Sequence, residues 1–415
     1  MQYLSVEQAQ ASVLQHVQPC GKESIALHDS LGRALAEDVY ANRNHPPYDL
    51  SAMDGYAIRF EDLAPADGQS ISLQVVDDIR AGTMPQRRVL QGKCARIMTG
   101  APIPAGADTV IRVEDTEADG EQISITVPPA RGANIRPLGE NLRNGEVVLT
   151  AGTTITPGVL AILSMVKKRE LAVFARPTVA ILSTGDELEG INDPIDENKI
   201  PDANSHALYA QCKALGIEAT LLGIAHDNPI ELRAKLAAGV KYDLLLASGG
   251  VSVGHHDFVR PTLDALGITM HFWRVAMRPG HPLAFGTTEH GNAVFGLPGN
   301  PVASMVCFEQ FVAPALRSMM GHPARFHRTI IARLTHDLKD RVGRTHFVRV
   351  MLKRDATGYL ATSTGAQGSG IVMSMAIAQG LMRIPEASDG LSSGDPVTVQ
   401  LLSGMEFQDH AELAA

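Results

Sequence analysis

Cysteine is scarce in this chain, with four among 415 residues. Cys20, Cys94, Cys212 and Cys307 are scattered and show no Cys-x-x-Cys spacing, which excludes a cysteine-based zinc motif and a disulfide framework. Cys212 and Cys307 fall on the apolar faces of predicted helices, so all four read as small core residues in a reducing compartment. Aromatics are also few, at 5% with one Trp, and the cores are expected to be aliphatic. Long apolar runs are missing: nothing reaches the roughly 18 residues of a membrane span. The start, Met1-Gln2-Tyr3-Leu4, has no charged n-region and no apolar h-region, and a cytoplasmic location is expected. Clustered Lys and Arg are lacking as well. With a net charge of −9 the chain has no basic stripe to neutralise a nucleic-acid backbone, so any anion site needs positive potential built locally. No repeat recurs at a fixed period.

Against these absences, Gly (38) and Pro (24) are frequent, which fits many tight turns and short strands. The length calls for several domains. Ser5 with Gln8 forms a capping box for a helix over residues 5–17, striped by Val6, Ala9, Val13, Leu14 and Val17. Between residues 46 and 145, short alternating runs bounded by Gly, Pro and Asp read as β structure. Thr156-Pro157 opens a helix to Lys168, expected to pack on the N-terminal one. From Pro177, strands at 178–183, 219–224, 243–247 and 293–297 alternate with helices at 205–215, 229–238, 258–266 and 301–320. This pattern predicts a doubly wound α/β domain. The expected organisation is a helical and extended domain (1–45 plus 146–176), an inserted β-rich domain (46–145), the α/β domain (177–322), a C-terminal β-barrel (323–403) and a tail (404–415).

The most pointed feature is Ser248-Gly249-Gly250-Val251-Ser252-Val253-Gly254-His255-His256-Asp257, directly after the apolar strand Asp243–Ala247. Glycines let an anion approach the backbone, and ligands of open α/β sheets sit at strand carboxyl ends. A second loop, Gly296-Leu297-Pro298-Gly299-Asn300-Pro301, also follows a strand and opens a helix, whose first N–H groups suit an anion. Together they suggest a site for a phosphate-bearing ligand. Arg278 and His281, in Met277-Arg278-Pro279-Gly280-His281-Pro282, are the nearest candidate positive charges, and Arg136 is a more distant one. Acidic residues recur beside glycine in loops: Asp54, the pair Asp186 and Glu187, Asp227 and Asp257. The last three of these loops follow predicted strands. Their carboxylates can converge on Mg²⁺, a hard cation that shares oxygen ligands with phosphates. Taken alone, each is also ordinary turn or helix-start chemistry. His255-His256 reads as polar loop, because adjacent histidines share no face and no zinc pattern accompanies them. Ser248 and Ser252 lie in no nucleophile elbow, which argues against serine catalysis.

Several motifs in order resemble the molybdopterin molybdenumtransferase family, MoeA in bacteria and the E domain of gephyrin in animals. They are SAMDGYA (51–57), RIMTGAPIP (96–104), NIRPLGEN (134–141), STGDEL (183–188), PDANS (201–205), SGGVSVG with Asp257, MRPGHPLAFG (277–286), GLPGNPVAS (296–304) and GAQGS (365–369). The resemblance implies a Mg²⁺-dependent transfer of molybdate onto adenylated molybdopterin, with release of AMP. By position it implies Asp54, Thr99, Glu187, Asp227 and Asp257 as catalytic residues, with Glu187, Asp227 and Asp257 around the metal. Arg136, Ser248, Gly249, Gly250, Ser252, Arg278, His281, Pro298, Gly299, Asn300, Pro301 and Ser369 are then expected to bind the substrate. It also implies a homodimer whose cleft joins the α/β domain of one subunit to the inserted β domain of the other, so that Asp54 and Thr99 act in trans. The molybdopterin adenylyltransferase that makes the substrate is a possible partner.

The chain departs from the family pattern at Asn141, usually Asp, and at Arg278 and His281, where lysines are frequent. Two other readings stand beside the transferase. One is the adenylyltransferase itself, against which speak the extra domains and Ser248-Gly249-Gly250-Val251 where Gly-Gly-Thr-Gly is usual. The other is a non-catalytic gephyrin-like scaffold, kept open by Asn141.

Overall fold

The computed structural model describes residues 3–63, 71–250 and 259–402. Val251, Ser252, Val253, Gly254, His255, His256 and Asp257 lie outside them, as does the expected tail 404–415.

The central sheet has six strands in the order Ala219–Ala225, Val179–Thr184, Leu244–Ser248, Ala293–Leu297, Ala284–Thr287, Thr269–Phe272. The first four are parallel. Ala284–Thr287 then pairs antiparallel with Ala293–Leu297, and Thr269–Phe272 antiparallel with Ala284–Thr287, which extends the edge. Val179–Thr184, Leu244–Ser248 and Ala293–Leu297 are buried throughout, because helices cover both faces, and this is why they read as continuous apolar runs. The sequence reading missed the two antiparallel strands. Thr269–Phe272 and Ala284–Thr287 are only four residues each and carry no clean alternation.

The N-terminal helix Val6–His16 has its expected capping box: Gln8 N–H donates to Ser5 Oγ, and Ser5 N–H to Gln8 Oε1. Its partner differs from expectation. Val6, Ala9, Val13 and Val17 share a core with Val179, Phe285, Phe308, Phe311 and Leu316 of the α/β unit, not with the helix Pro157–Met165. A local cause lies in the chain Pro301–Met319, which widens to a π-turn over Phe308–Val312. Pro314 has no N–H to offer the preceding turn. The Gln310 carbonyl accepts instead from Gln10 Nε2 at 3.0 Å, tying the N-terminal helix down there. The helix Pro157–Met165, capped by Thr156, buries Leu163 with Leu35, Val39, Leu142, Leu149, Leu171 and Val173. Lys22–Ala26 pairs with Glu170–Phe174, and Val39–Tyr40 with Val147–Leu149, so segments on either side of the β-rich stretch meet.

Within that stretch a second six-stranded sheet runs Thr109–Arg112, Gly55–Ile58, Lys93–Ile97, Ser72–Ile79, Gln122–Ile125, Thr116–Asp119. Alternation feeds two small cores, with Ala57, Ala95 and Val110 on one face and Tyr56, Ile58, Cys94 and Ile111 on the other.

The C-terminal strands Thr345–Asp355, Gly358–Ser363, Thr329–Leu334, Pro396–Leu401 and Gly380–Ile384 pair in that order. Thr345–Asp355 also pairs with Gly380–Ile384, which closes a five-stranded barrel. One short strand of the α/β unit, Met277–Arg278, joins this barrel in parallel with Thr345 and His346. That pairing brings the barrel to the edge of the site.

Candidate active site

At the carboxyl end of Leu244–Ser248 the chain turns through two glycines, both with positive φ (92° at Gly249, 63° at Gly250). A Cβ on Gly249 would overlap the Thr184 carbonyl oxygen of the neighbouring strand. Only glycine fits there. Asn204, from PDANS, knits the two loops together. Its Nδ2 donates to Ser248 Oγ at 2.8 Å and to the Gly299 carbonyl at 2.7 Å. Its Oδ1 is buried with no hydrogen-bond partner among the described residues. Asp202 caps the same helix by accepting from Ser205 N–H, and it also accepts from Ser183 Oγ at 2.9 Å. PDANS is therefore a brace between strand end and helix start, and Asn204 is a site residue that the sequence reading did not single out.

Beside these loops lies a cavity of ≈ 370 Å³. Arg278, His281, Pro298, Asn300 and Ser369, far apart in sequence, all line it. The Ser369 carbonyl accepts from Val302 N–H at 3.1 Å, so the barrel's GAQGS loop sits on the start of the helix from Pro301. Asn300 occupies the N-cap position but makes no side-chain cap bond. Arg278 is half-exposed, and its Nη1 stands 3.5 Å from Oδ1 of the buried Asp340, whose Oδ2 lies 2.8 Å from His346 Nδ1. Arg344, which sequence reasoning missed, lines this cavity and an adjoining one of ≈ 540 Å³ that Arg278 and Arg341 also line. Beneath, Arg349 is fully buried, donates to the Gly368 carbonyl at 3.1 Å, and leaves Nη1 without a partner among the described residues. Burial first, then Arg278, depresses its pKa to about 10, so it stays charged.

His281, expected to be charged only in part near neutrality, is held further toward its neutral form. Burial first, then Arg344 and Arg274, hold its pKa below the ordinary histidine value. Its share of the cavity's positive charge is therefore smaller than that of an ordinary histidine, and Arg278 and Arg344 carry the rest.

The carboxylates fall in separate places. Asp186, Glu187 and Asp227 are exposed at the carboxyl ends of Val179–Thr184 and Ala219–Ala225. Asp227 N–H donates to Asp186 Oδ1 at 2.9 Å, so Asp227 contacts Asp186, which the resemblance had not put forward. Among the described residues no group of three His, Cys, Asp or Glu is arranged to hold a metal. Asp54 and Thr99 meet on the other sheet, where Asp54 Oδ1 accepts from Thr99 N–H at 2.7 Å and from Thr99 Oγ1 at 2.8 Å. The backbone bond first, then the hydroxyl, holds the Asp54 carboxyl below its usual range. Neither residue lines the cavity at Arg278. Arg136 pairs with Glu140 at 2.9 Å, and Asn141 donates weakly to Met165 Sδ at 3.9 Å. Burial pushes the Cys94 and Cys212 thiols up to about 12, as befits inert core residues. Among the described residues no helix is long and apolar enough to cross a membrane.

Three family models cover most of the chain: the MoeA N-terminal region (domains I and II) at residues 4–166, a probable molybdopterin binding domain at 180–318, and the MoeA C-terminal region (domain IV) at 331–402. The molybdopterin molybdenumtransferase of Bacillus subtilis is 37% identical over 396 residues, covering 93% of this chain and 91% of its own. That of Haemophilus influenzae is 35% identical over 407 residues, covering 96% and 98%. A crystal structure of the molybdopterin biosynthesis MoeA protein from Pyrococcus horikoshii superposes with a TM-score of 0.84 at 30% identity, covering 97% of this chain and all of that one. The chain belongs to the MoeA family of molybdopterin molybdenumtransferases.

Proposed function

We propose that this protein binds adenylated molybdopterin and molybdate, breaks the phosphoanhydride, and releases AMP and molybdenum cofactor. The observation that carries this reading is the convergence of Arg278, Arg344, Pro298 and Ser369 on one cavity in a chain of net charge −9. A pyrophosphate-like bond and an oxyanion together present dense negative charge. Catalysis then rests on positioning and on preorganised donors rather than on a covalent intermediate. Arg278 and Arg344 offset charge on the phosphoryl groups. The Gly249-Gly250 turn lets the substrate approach the backbone, and Pro298, Gly299, Asn300 and Pro301 form the stiff wall beside it.

The donor chemistry at the strand ends fits Mg²⁺, since the side chains there are exposed carboxylates and Mg²⁺ keeps most of its waters, needing only one or two protein oxygens. Glu187, Asp227 and Asp257 are the proposed ligands, with Asp186 holding the Asp227 backbone. When bound, the ion would neutralise phosphoryl charge. Asp54 and Thr99 are proposed to enter the cleft from the second subunit of a homodimer, and the adenylyltransferase is the proposed source of substrate in the cytoplasm. The test is AMP release, followed by chromatography, from purified protein given adenylated molybdopterin, molybdate and Mg²⁺. The reading expects release that needs all three. Folded protein that releases no AMP under these conditions rejects it.

A further inference from the structure

The N-terminal segment lies beside the stretch that leads into Met277–Arg278. Leu4 forms a parallel bridge with Val275, its N–H pointing to the Arg274 carbonyl and its own carbonyl accepting from Ala276 N–H at 2.8 Å. On the other side Thr345 N–H donates to the Ala276 carbonyl at 2.9 Å. Three segments distant in sequence are thus laced side by side: 3–4, 274–278 and 344–346. The lacing sets the Tyr3 ring within 5.8 Å of two guanidinium carbons, those of Arg274 and Arg344. Both distances are within cation–π range. A carboxylate in that place would cancel the charge of the arginines, whereas a ring face holds two like charges together and leaves them positive.

We propose that Tyr3 is a positioning residue which holds Arg274 beside Arg344 of the cavity lining, so that an anionic substrate at Arg344 meets a fixed pair of guanidiniums. This deepens the reading above and rests on it for the identity of the anion. The neighbouring His281 senses the pair, because Arg344 and Arg274 both disfavour its protonated form.

The experiment uses full-length protein with Tyr3→Leu and Tyr3→Phe, alone and with Arg344→Gln. Two readouts are taken: the His281 titration by NMR, and KM and kcat for adenylated molybdopterin. Tyr3→Leu should raise the His281 pKa and raise KM about threefold with kcat nearly unchanged, the size of one modest cation–π contact. Tyr3→Phe keeps a ring face and should behave as the parent. In the Arg344→Gln background Tyr3→Leu should add less than in the parent, because its contact to Arg344 is already gone and only that to Arg274 remains. A Tyr3→Leu protein with parental His281 titration overturns the proposal, as does a Phe variant as impaired as Leu. Should the parent turn over no adenylated molybdopterin, the functional reading fails, and the His281 titration still decides the role of Tyr3.

Discussion

The two clusters that the family motifs mark differ in how complete they are. The cavity at Arg278 is built within one chain. Its floor and walls come from strand-end loops and from the barrel, and Ser248, Pro298 and Arg349 are buried around it. The Asp54–Thr99 pair is exposed on a separate sheet, where Asp54 Oδ1 accepts both of the bonds that Thr99 donates. A charged group kept ionised on an open surface does little chemistry, because water screens it. In the proposed reading the first cluster is the preformed receptor for the anionic substrate. In the proposed reading the second is the half-site that the other subunit would complete.

Breaking the first cluster has the largest expected effect. Arg278→Gln should lower kcat/KM for AMP release by about 10²-fold, the usual cost of removing one preorganised charged donor. An unchanged kcat/KM would remove the cavity from the chemistry. Gly249→Ala comes next, acting on the fold of the same cluster. It should destabilise the protein by about 1–3 kcal/mol in denaturant unfolding, since a side chain at φ 92° also meets the Thr184 carbonyl.

The second cluster is sharpened by mixing. Asp54→Ala should cost about tenfold in kcat/KM. Co-refolding Asp54→Ala with Arg278→Gln should then give about a quarter of parental activity, more than either variant alone, because about half of the dimers are mixed and each mixed dimer holds one intact site of two. No recovery would mean that Asp54 works within its own chain or not at all. The smallest effect belongs to Thr99→Val, which removes one of the two bonds to Asp54. The folded Asp54 pKa lies below its unfolded value of about 3.9, so its stabilisation is present above that value and fades as pH falls through the folded one. Without the hydroxyl the folded value rises, and acid unfolding followed by circular dichroism should begin at slightly higher pH.

Much of this was legible in the sequence because buried parallel strands announce themselves. Leu244–Ser248 and Ala293–Leu297 are unbroken apolar runs ended by glycine loops, which fixes both the sheet and the end where ligands bind. The edge strands were not legible, being short and without alternation. The seat of the N-terminal helix was also hidden, because an apolar stripe says that a face is buried and not against what. Site charges fared worst. Arg344 sits in an unremarkable Gly-Arg-Thr, and the lowered His281 pKa depends first on burial and then on two arginines, one of them 63 residues later in the chain. Pro298, Thr99 and Ser369 came from the family pattern, not from any chemistry readable at those positions.

A crystal of the protein soaked with AMP and molybdate tests the central claim most directly. The account predicts density for the AMP phosphate in the cavity lined by Arg278, Pro298, Arg344 and Ser369. Density instead at the opposite end of the sheet, in the ≈ 460 Å³ cavity between Arg176, Lys213 and Tyr242, would contradict it.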